Sequence, residues 1–238
     1  MFSELKKKCL EANLMLPELG LVLYTFGNVS CVDRRKNVFA IKPSGVEYEK
    51  LTVDDIVIID IATGKKISGA LNPSSDTNTH LELYRAWPEP GGIVHTHSTY
   101  ATAWAQAAIP VPLFGTTHAD HLAAPIPCTN FMPDDRIRND YETETGYQII
   151  DCFNSQQLDP AEIPMVLVAG HGPFTWGKDG GQAVYHARVL EELCKMAMMT
   201  RQINPETVPL KTSLVDKHYQ RKHGKNAYYG QEDGSKNT

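Results

Sequence analysis

The sequence predicts an α/β sandwich, and three observations predict it. Stretches with helical apolar spacing alternate with short β-branched runs, the connections are short, and no repeat, linker or shift of composition divides the 238 residues. Leu5, Cys9, Ala12 and Leu16 fall on one helical face, and Pro17 is expected to stop that first helix. Strand-like stretches follow at Leu21–Tyr24, Val29–Val32, Val38–Ile41 and Ile56–Ile61, separated by turn signals such as Asp33-Arg34-Arg35-Lys36-Asn37 and Thr63-Gly64-Lys65. The run Ser74-Ser75-Asp76, rich in N-cap residues, opens a helix to Trp87. Ile93–His97 reads as a strand leading into a small-residue helix, Thr99–Ala108. Thr143–Asn154 reads as a helix, Met165–Val168 as a buried strand and Gly181–Arg201 as a long amphipathic helix. Beyond Leu210 the chain turns basic and polar, and its last residues read as a solvated tail.

Composition narrows the function classes. A net charge of −5 offers no broad basic surface, so nucleic acid and anionic membranes are poor partners. No apolar run approaches the ~20 residues that span a bilayer, and the charged start Met1-Phe2-Ser3-Glu4-Leu5-Lys6-Lys7-Lys8 lacks the apolar core of a secretion signal. Five scattered cysteines without a C-x-x-C spacing fit free thiols in a reducing cytoplasm and argue against a thiolate-rich metal site.

The chemistry-bearing residues follow apolar runs. In His95-Thr96-His97, after Gly91-Gly92-Ile93-Val94, residues i and i+2 of a strand share a face, so both imidazoles can converge on one point. A pair of solvated histidines is the alternative. A third imidazole, His171, follows Val166-Leu167-Val168-Ala169-Gly170, and Asp76 offers an oxygen donor. Three histidines suit an open zinc site, with manganese or cobalt as substitutes. His80 and His186, inside expected helices, read as packing or surface residues.

Gly27-Asn28, Lys42-Pro43-Ser44-Gly45 and Ser74-Ser75 expose backbone N–H groups, hydroxyls or an amide suited to an anion; singly, each is equally a cap or a turn. Asp120, in Thr116-Thr117-His118-Ala119-Asp120-His121, could exchange a proton near a bound substrate, orient His118 or cap a turn. Tyr228-Tyr229 either anchors the chain end by packing or presents a phenol whose pKa nearby cations depress.

These segments, in this order, resemble the L-ribulose-5-phosphate 4-epimerases. The resemblance rests on Gly27-Asn28-Val29-Ser30, Lys42-Pro43-Ser44-Gly45-Val46, Pro73-Ser74-Ser75-Asp76-Thr77, His95-Thr96-His97-Ser98, Gly115-Thr116-Thr117-His118-Ala119-Asp120 and His171-Gly172-Pro173-Phe174. It continues through Asp216-Lys217-His218-Tyr219, Arg221-Lys222-His223-Gly224 and Ala227-Tyr228-Tyr229-Gly230-Gln231, so it spans residues 1–231 as one domain and leaves 232–238 as tail. The histidine pattern is shared with the wider class II aldolase and adducin superfamily. The resemblance implies an α/β/α sandwich around a mainly antiparallel sheet. It also implies a cyclic homotetramer with active sites between neighbouring subunits, and one Zn²⁺ per subunit.

It further implies that His95, His97 and His171 are zinc ligands, with Asp76 on or beside the metal. Gly27, Asn28, Lys42, Ser44, Gly45, Ser74 and Ser75 would bind a phosphorylated ketopentose. Asp120 and the neighbouring subunit's Tyr229 would serve as the two acid/base groups, and His218 would lie near them. The implied reaction interconverts L-ribulose 5-phosphate and D-xylulose 5-phosphate by retro-aldol cleavage and re-addition. A zinc aldolase acting on a deoxyketose 1-phosphate and a non-catalytic adducin-like module are the alternatives. Phe26 departs from the tryptophan expected before Gly27, and His121 from a tyrosine after Asp120. The second change bears on the pH profile through Asp120.

Overall fold

The computed structural model describes residues 2–224 and residue 227. Seven strands form one sheet: β1 (Asn28–Asp33), β2 (Val38–Ile41), β3 (Val57–Asp60), β4 (Lys66–Ser68), β5 (Gly92–His95), β6 (Met165–Val168) and β7 (Gly172–Gly177). Their order is β4-β3-β2-β1-β5-β7-β6, and every neighbouring pair is antiparallel. Alternation along each strand splits the core between the two faces. Val29, Val38, Ala40, Ile58 and Val94 pack against α1 (Ser3–Glu18) and the start of α7 (Gly180–Ile203). Phe39, Ile41, Val57, Ile59 and Ile93 meet Leu81, Leu83 and Tyr84 of α2 (Thr77–Ala86) and Ile149 and Phe153 of α6 (Tyr141–Gln156). Trp87, Phe153 and Trp176 close that side with ring centroids 4.9–5.4 Å apart. The helix α3 (Thr99–Ala107) packs on α7 and on β6 and β7. The α/β/α sandwich is therefore present.

Several local expectations change. Pro17 lies inside the last turn of α1, which ends one residue later where Gly20 turns left-handed at φ +67° and the Gly20 and Leu21 N–H groups return to the carbonyls of Pro17 and Leu16. Leu21–Tyr24 is not a strand. Only Leu21 is buried, Leu23 and Tyr24 are exposed, and Tyr24 turns the chain at φ +53°. The strand through Ile93 stops at His95, two residues earlier than expected. Three elements escaped the sequence reading: β4, whose Lys and Ile residues face solvent; β7, whose Gly and Pro are poor strand formers; and α8 (Thr212–His223), which buries only Val215. Two short helices, α4 (Thr116–Ala119) and α5 (Asp134–Ile137), also went unread. The suggested tail and Tyr228-Tyr229 lie outside the described residues.

One buried polar contact ties α1 to the sheet beside the site. The β1–β2 register stops at Ser30↔Ile41, so Val29 has lost its neighbour on that side. The fully buried Asn13 takes over: its Oδ1 accepts from Val29 N–H at 2.8 Å, and its Nδ2 donates to the Val29 carbonyl at 2.9 Å. Asn13→Ala should destabilise the protein by about 1–3 kcal/mol, since the buried Val29 N–H loses its partner and the Val29 carbonyl keeps only the weak Cys9 thiol donor. Urea unfolding measures this, and a loss below about 0.5 kcal/mol would show that Asn13 is not the edge partner of β1.

Candidate metal centre and anion pocket

Strand register builds the first half of the site. Asn28 of β1 lies opposite His95 of β5, and His95 lies opposite Phe174 of β7. The Phe174 ring stacks on His95, with centroids 4.3 Å apart and planes 19° from parallel. His97 lies past the strand end, yet its Nε2 comes within 3.1 Å of His95 Nε2. His171 arrives from the turn between β6 and β7. One ligand atom from each of these three histidines falls within 4.8 Å of the others.

Neighbouring groups fix the donors. His95 Nδ1 lies 3.0 Å from the Pro173 carbonyl, which can only accept, so this nitrogen carries the proton and Nε2 keeps its lone pair. Gly172 is required by space: a Cβ there would sit 2.9 Å from the Thr96 carbonyl oxygen and 3.4 Å from His95 Cε1. Burial, then the charges of His95 and His97, push His171 down to about 3, and burial also lowers His97. Both imidazoles are therefore neutral at pH 7, the form that binds metal. This donor set fits a divalent transition metal with an open coordination position.

Asp76 belongs to the same cavity but not to the triad. Its Oδ2 accepts from Asn28 Nδ2 at 2.6 Å, and Asn28 Nδ2 also reaches Ser74 Oγ at 3.0 Å. Burial pushes this carboxyl up, but the charges of His95 and His80 and the Asn28 amide hold it below the usual carboxylate range. His80, expected to be a packing residue, is fully buried and bonds Ser30 Oγ at 2.7 Å, which in turn meets the Tyr84 hydroxyl at 2.8 Å.

The segments expected to bind an anion line the same space, a cavity of about 450 Å³. It contains Gly27, Asn28, Lys42, Ser44, Gly45, Ser74, Ser75 and Asp76 together with His95, His97 and His171. Gly27 turns at φ +73°, and a Cβ there would strike Val22 and the His95 carbonyl oxygen at 2.8 and 2.9 Å. The 42–44 and 72–74 segments pair through Pro43↔Pro73, with Ser44 N–H donating to Asn72 and Ser74 N–H to Lys42. Those two amides, expected to face an anion, are thus consumed; the side chains of Lys42, Ser44 and Ser75 remain on the wall. Lys42 is 1% exposed, and among the described residues no carboxylate pairs with it. Burial lowers its pKa to about 8.

Residues 7–198 match the class II aldolase and adducin N-terminal domain. The chain belongs to the class II aldolase and adducin family. An L-fuculose 1-phosphate aldolase superposes with a TM-score of 0.76 at 24% identity, covering 92% of this chain and 96% of its own. The L-fuculose 1-phosphate aldolase from Glaciozyma antarctica PI12 gives 0.73 at 19%, covering 92% and 81%. That from Thermus thermophilus gives 0.64 at 20%, covering 88% and 100%. At these identities the likeness concerns the fold.

In this family member a second titratable cluster stands apart from the histidine cavity of its own chain. Asp120, just after α4, accepts from His218 Nδ1 at 2.9 Å and from Arg221 of α8 at 2.7 and 3.1 Å; Lys222 lies 3.6 Å away. Burial opposes its ionisation, yet the Arg221 and His218 bonds and the Lys222 charge prevail and place it at about 2. It neither orients His118, which bonds the Ala124 carbonyl, nor lines the cavity. His121 turns away to the Thr117 carbonyl and the Tyr185 hydroxyl, and His186 bonds the Trp176 carbonyl. Tyr229 lies outside the described residues.

Sequence reasoning missed Tyr141 and Glu142, which reach the cavity from the start of α6; the Tyr141 hydroxyl lies 3.4 Å from His171 Nδ1. Nothing in their local sequence marks them. Among the described residues no helix is long and apolar enough to cross a membrane. His97→Ala should reduce bound zinc from near one per chain to below about 0.2 by elemental analysis after dialysis, and Gly172→Ala should weaken zinc affinity about 10–100-fold. Wild-type zinc content in His97→Ala would remove His97 from the ligand set.

Proposed function

We propose that this protein is a zinc-dependent L-ribulose-5-phosphate 4-epimerase. The observation that carries the phosphosugar reading is the buried Lys42, paired with no carboxylate among the described residues, sharing one cavity with the histidine triad. A buried cation without a counter-charge is costly, and a ligand phosphate relieves that cost. The choice of epimerase over aldolase draws on the Asp120–His218 pair and on the epimerase-like ending through Tyr229.

The substrate's chemistry explains the division of labour. The C4 hydrogen is not acidic, so inversion there requires breaking the C3–C4 bond. A base takes the C4 hydroxyl proton, the C4–O bond becomes a carbonyl, and the C3–C4 electron pair moves toward the C2 carbonyl. The fragments are the enediolate of dihydroxyacetone and glycolaldehyde phosphate. His95, His97 and His171, with Asp76 beside them, would hold a divalent metal, which when bound would supply Lewis-acid stabilisation of the developing negative charge. Lys42, Ser44 and Ser75 hold the phosphate, so the aldehyde fragment stays tethered while its carbonyl presents its other face. Re-addition then yields D-xylulose 5-phosphate.

The two faces need proton-transfer groups on opposite sides. Asp120, held ionised by Arg221, is too weak a base to act well alone, so Asp120 and His218 work as one unit. The proton on His218 Nδ1 is directed to the carboxylate, which leaves Nε2 for the substrate. Tyr229 is assigned to the other face. Because the Asp120–His218 pair stands outside its own chain's cavity, it serves the cavity of an adjacent copy in a cyclic homotetramer. A soluble cytoplasmic enzyme is the setting this reading requires.

A second reading, release of dihydroxyacetone phosphate from a deoxyketose 1-phosphate, is favoured by the structural likeness to L-fuculose 1-phosphate aldolases. The same phosphate grip would then hold the ketone fragment. Zinc-loaded protein should convert L-ribulose 5-phosphate to D-xylulose 5-phosphate, with activity lost to a chelator. Asp120→Asn, His218→Asn and Tyr229→Phe should each keep zinc and lose about 10²–10⁴ in rate. Free triose phosphate without epimerisation would favour the aldolase, and full turnover in all three variants would overturn the proton-transfer assignment.

A further inference from the structure

We propose that Tyr48, outside every motif described above, is the positioning residue of the anion pocket, joining Lys42 to the Gly27 turn. The inference rests on the phosphosugar reading of that cavity. Tyr48 stands in a short 3-10 turn, Tyr48–Lys50, and is 5% exposed. Its hydroxyl lies 2.9 Å from the carbonyl oxygens of both Phe26 and Gly27, so one donor spans the two peptide units that shape the turn. Its ring lies beneath Lys42, with Nζ 4.7 Å from the centroid.

Each arm answers a physical need. The Gly27 turn has left-handed backbone, abuts the His95 carbonyl and delivers Asn28 to Asp76 and Ser74. A fixed donor on two successive carbonyls holds it there at little entropic cost. Lys42 finds long contacts to the carbonyls of Thr25 at 3.3 Å and Pro43 at 3.4 Å. The π face favours its charged form without consuming it, unlike a carboxylate, and so leaves the ammonium for an incoming anion. Among the described residues, the other titratable groups on the cavity wall are Asp76, Glu142, Tyr141 and the three histidines.

Tyr48→Phe and Tyr48→Leu separate the arms: the first removes only the hydroxyl, the second also the ring. Calorimetry with inorganic phosphate on the zinc-loaded full chain is the direct measurement, with zinc content and melting temperature taken in parallel. Phosphate affinity should fall about 3–10-fold in Tyr48→Phe and at least about 30-fold in Tyr48→Leu, with zinc content unchanged. In wild type and Tyr48→Phe the affinity should decline above about pH 8, as Lys42 loses its proton. In Tyr48→Leu that decline should begin at lower pH. Wild-type affinity in Tyr48→Phe and Tyr48→Leu would overturn the proposal and leave the phosphosugar reading standing. Parallel loss of zinc, melting temperature and phosphate in Tyr48→Phe would reduce Tyr48 to a structural support and also overturn it. No phosphate binding by wild type, or equal binding by Lys42→Met, would overturn the phosphosugar reading and this proposal with it.

Discussion

The site depends on one register. β1 lies between β2 and β5, and Asn28 stands directly opposite His95. Neighbouring strands are only about 4.8 Å apart, so this pairing sets the turn that carries Gly27 beside the strand end that carries the histidines. On the far side β7 pairs with β5, bringing the Pro173 carbonyl to His95 Nδ1 and the His171 turn over the same point. A slip of one residue would send Asn28 or His95 to the opposite face of the sheet. Asn13 therefore matters beyond stability, because it secures β1 where β2 has already diverged.

Divergence of β2 has its own use. Once Lys42 leaves the ladder, its segment pairs with 72–74. That pairing aligns Lys42, Ser44 and Ser74 along one wall, and the same stretch leads into α2 through Asp76. The metal donors thus come from one end of the sheet, and the anion groups from the irregular backbone just beyond it. Rigid strands hold the imidazoles, while the turns supply hydroxyls and an ammonium. Asp120, His218 and Arg221 form a separate electrostatic unit between α4 and α8. The Asp120 cluster and the histidine cavity are thus two separate polar groups on one chain.

Much of this was legible in the sequence, for identifiable reasons. β2 and β6 were read to the residue because each is a short apolar run bounded by turn signals. The histidine triad was legible from H-x-H and a third histidine after another apolar run, although the shared-face argument held for a strand that in fact stops at His95. The Leu21–Tyr24 stretch has strand composition but no sheet neighbour, so only Leu21 is buried. α8 was hidden because it buries only Val215 and so carries little apolar periodicity, while its contacts to Asp120 are polar. Tyr48 and Tyr141 were beyond local reading, since their meaning lies in contacts with distant segments. The same holds for the finding that the Ser44 and Ser74 amides brace each other's segments.

In the proposed function, a single cavity couples a three-histidine metal centre to a phosphate grip built on Lys42. A crystal structure of the zinc-loaded protein with inorganic phosphate, using anomalous scattering at the zinc edge, tests it most directly. Zinc is expected on one nitrogen each of His95, His97 and His171, with phosphate at Lys42, Ser44 and Ser75. Zinc bound elsewhere, or phosphate found only on the metal with Lys42 untouched, would contradict it.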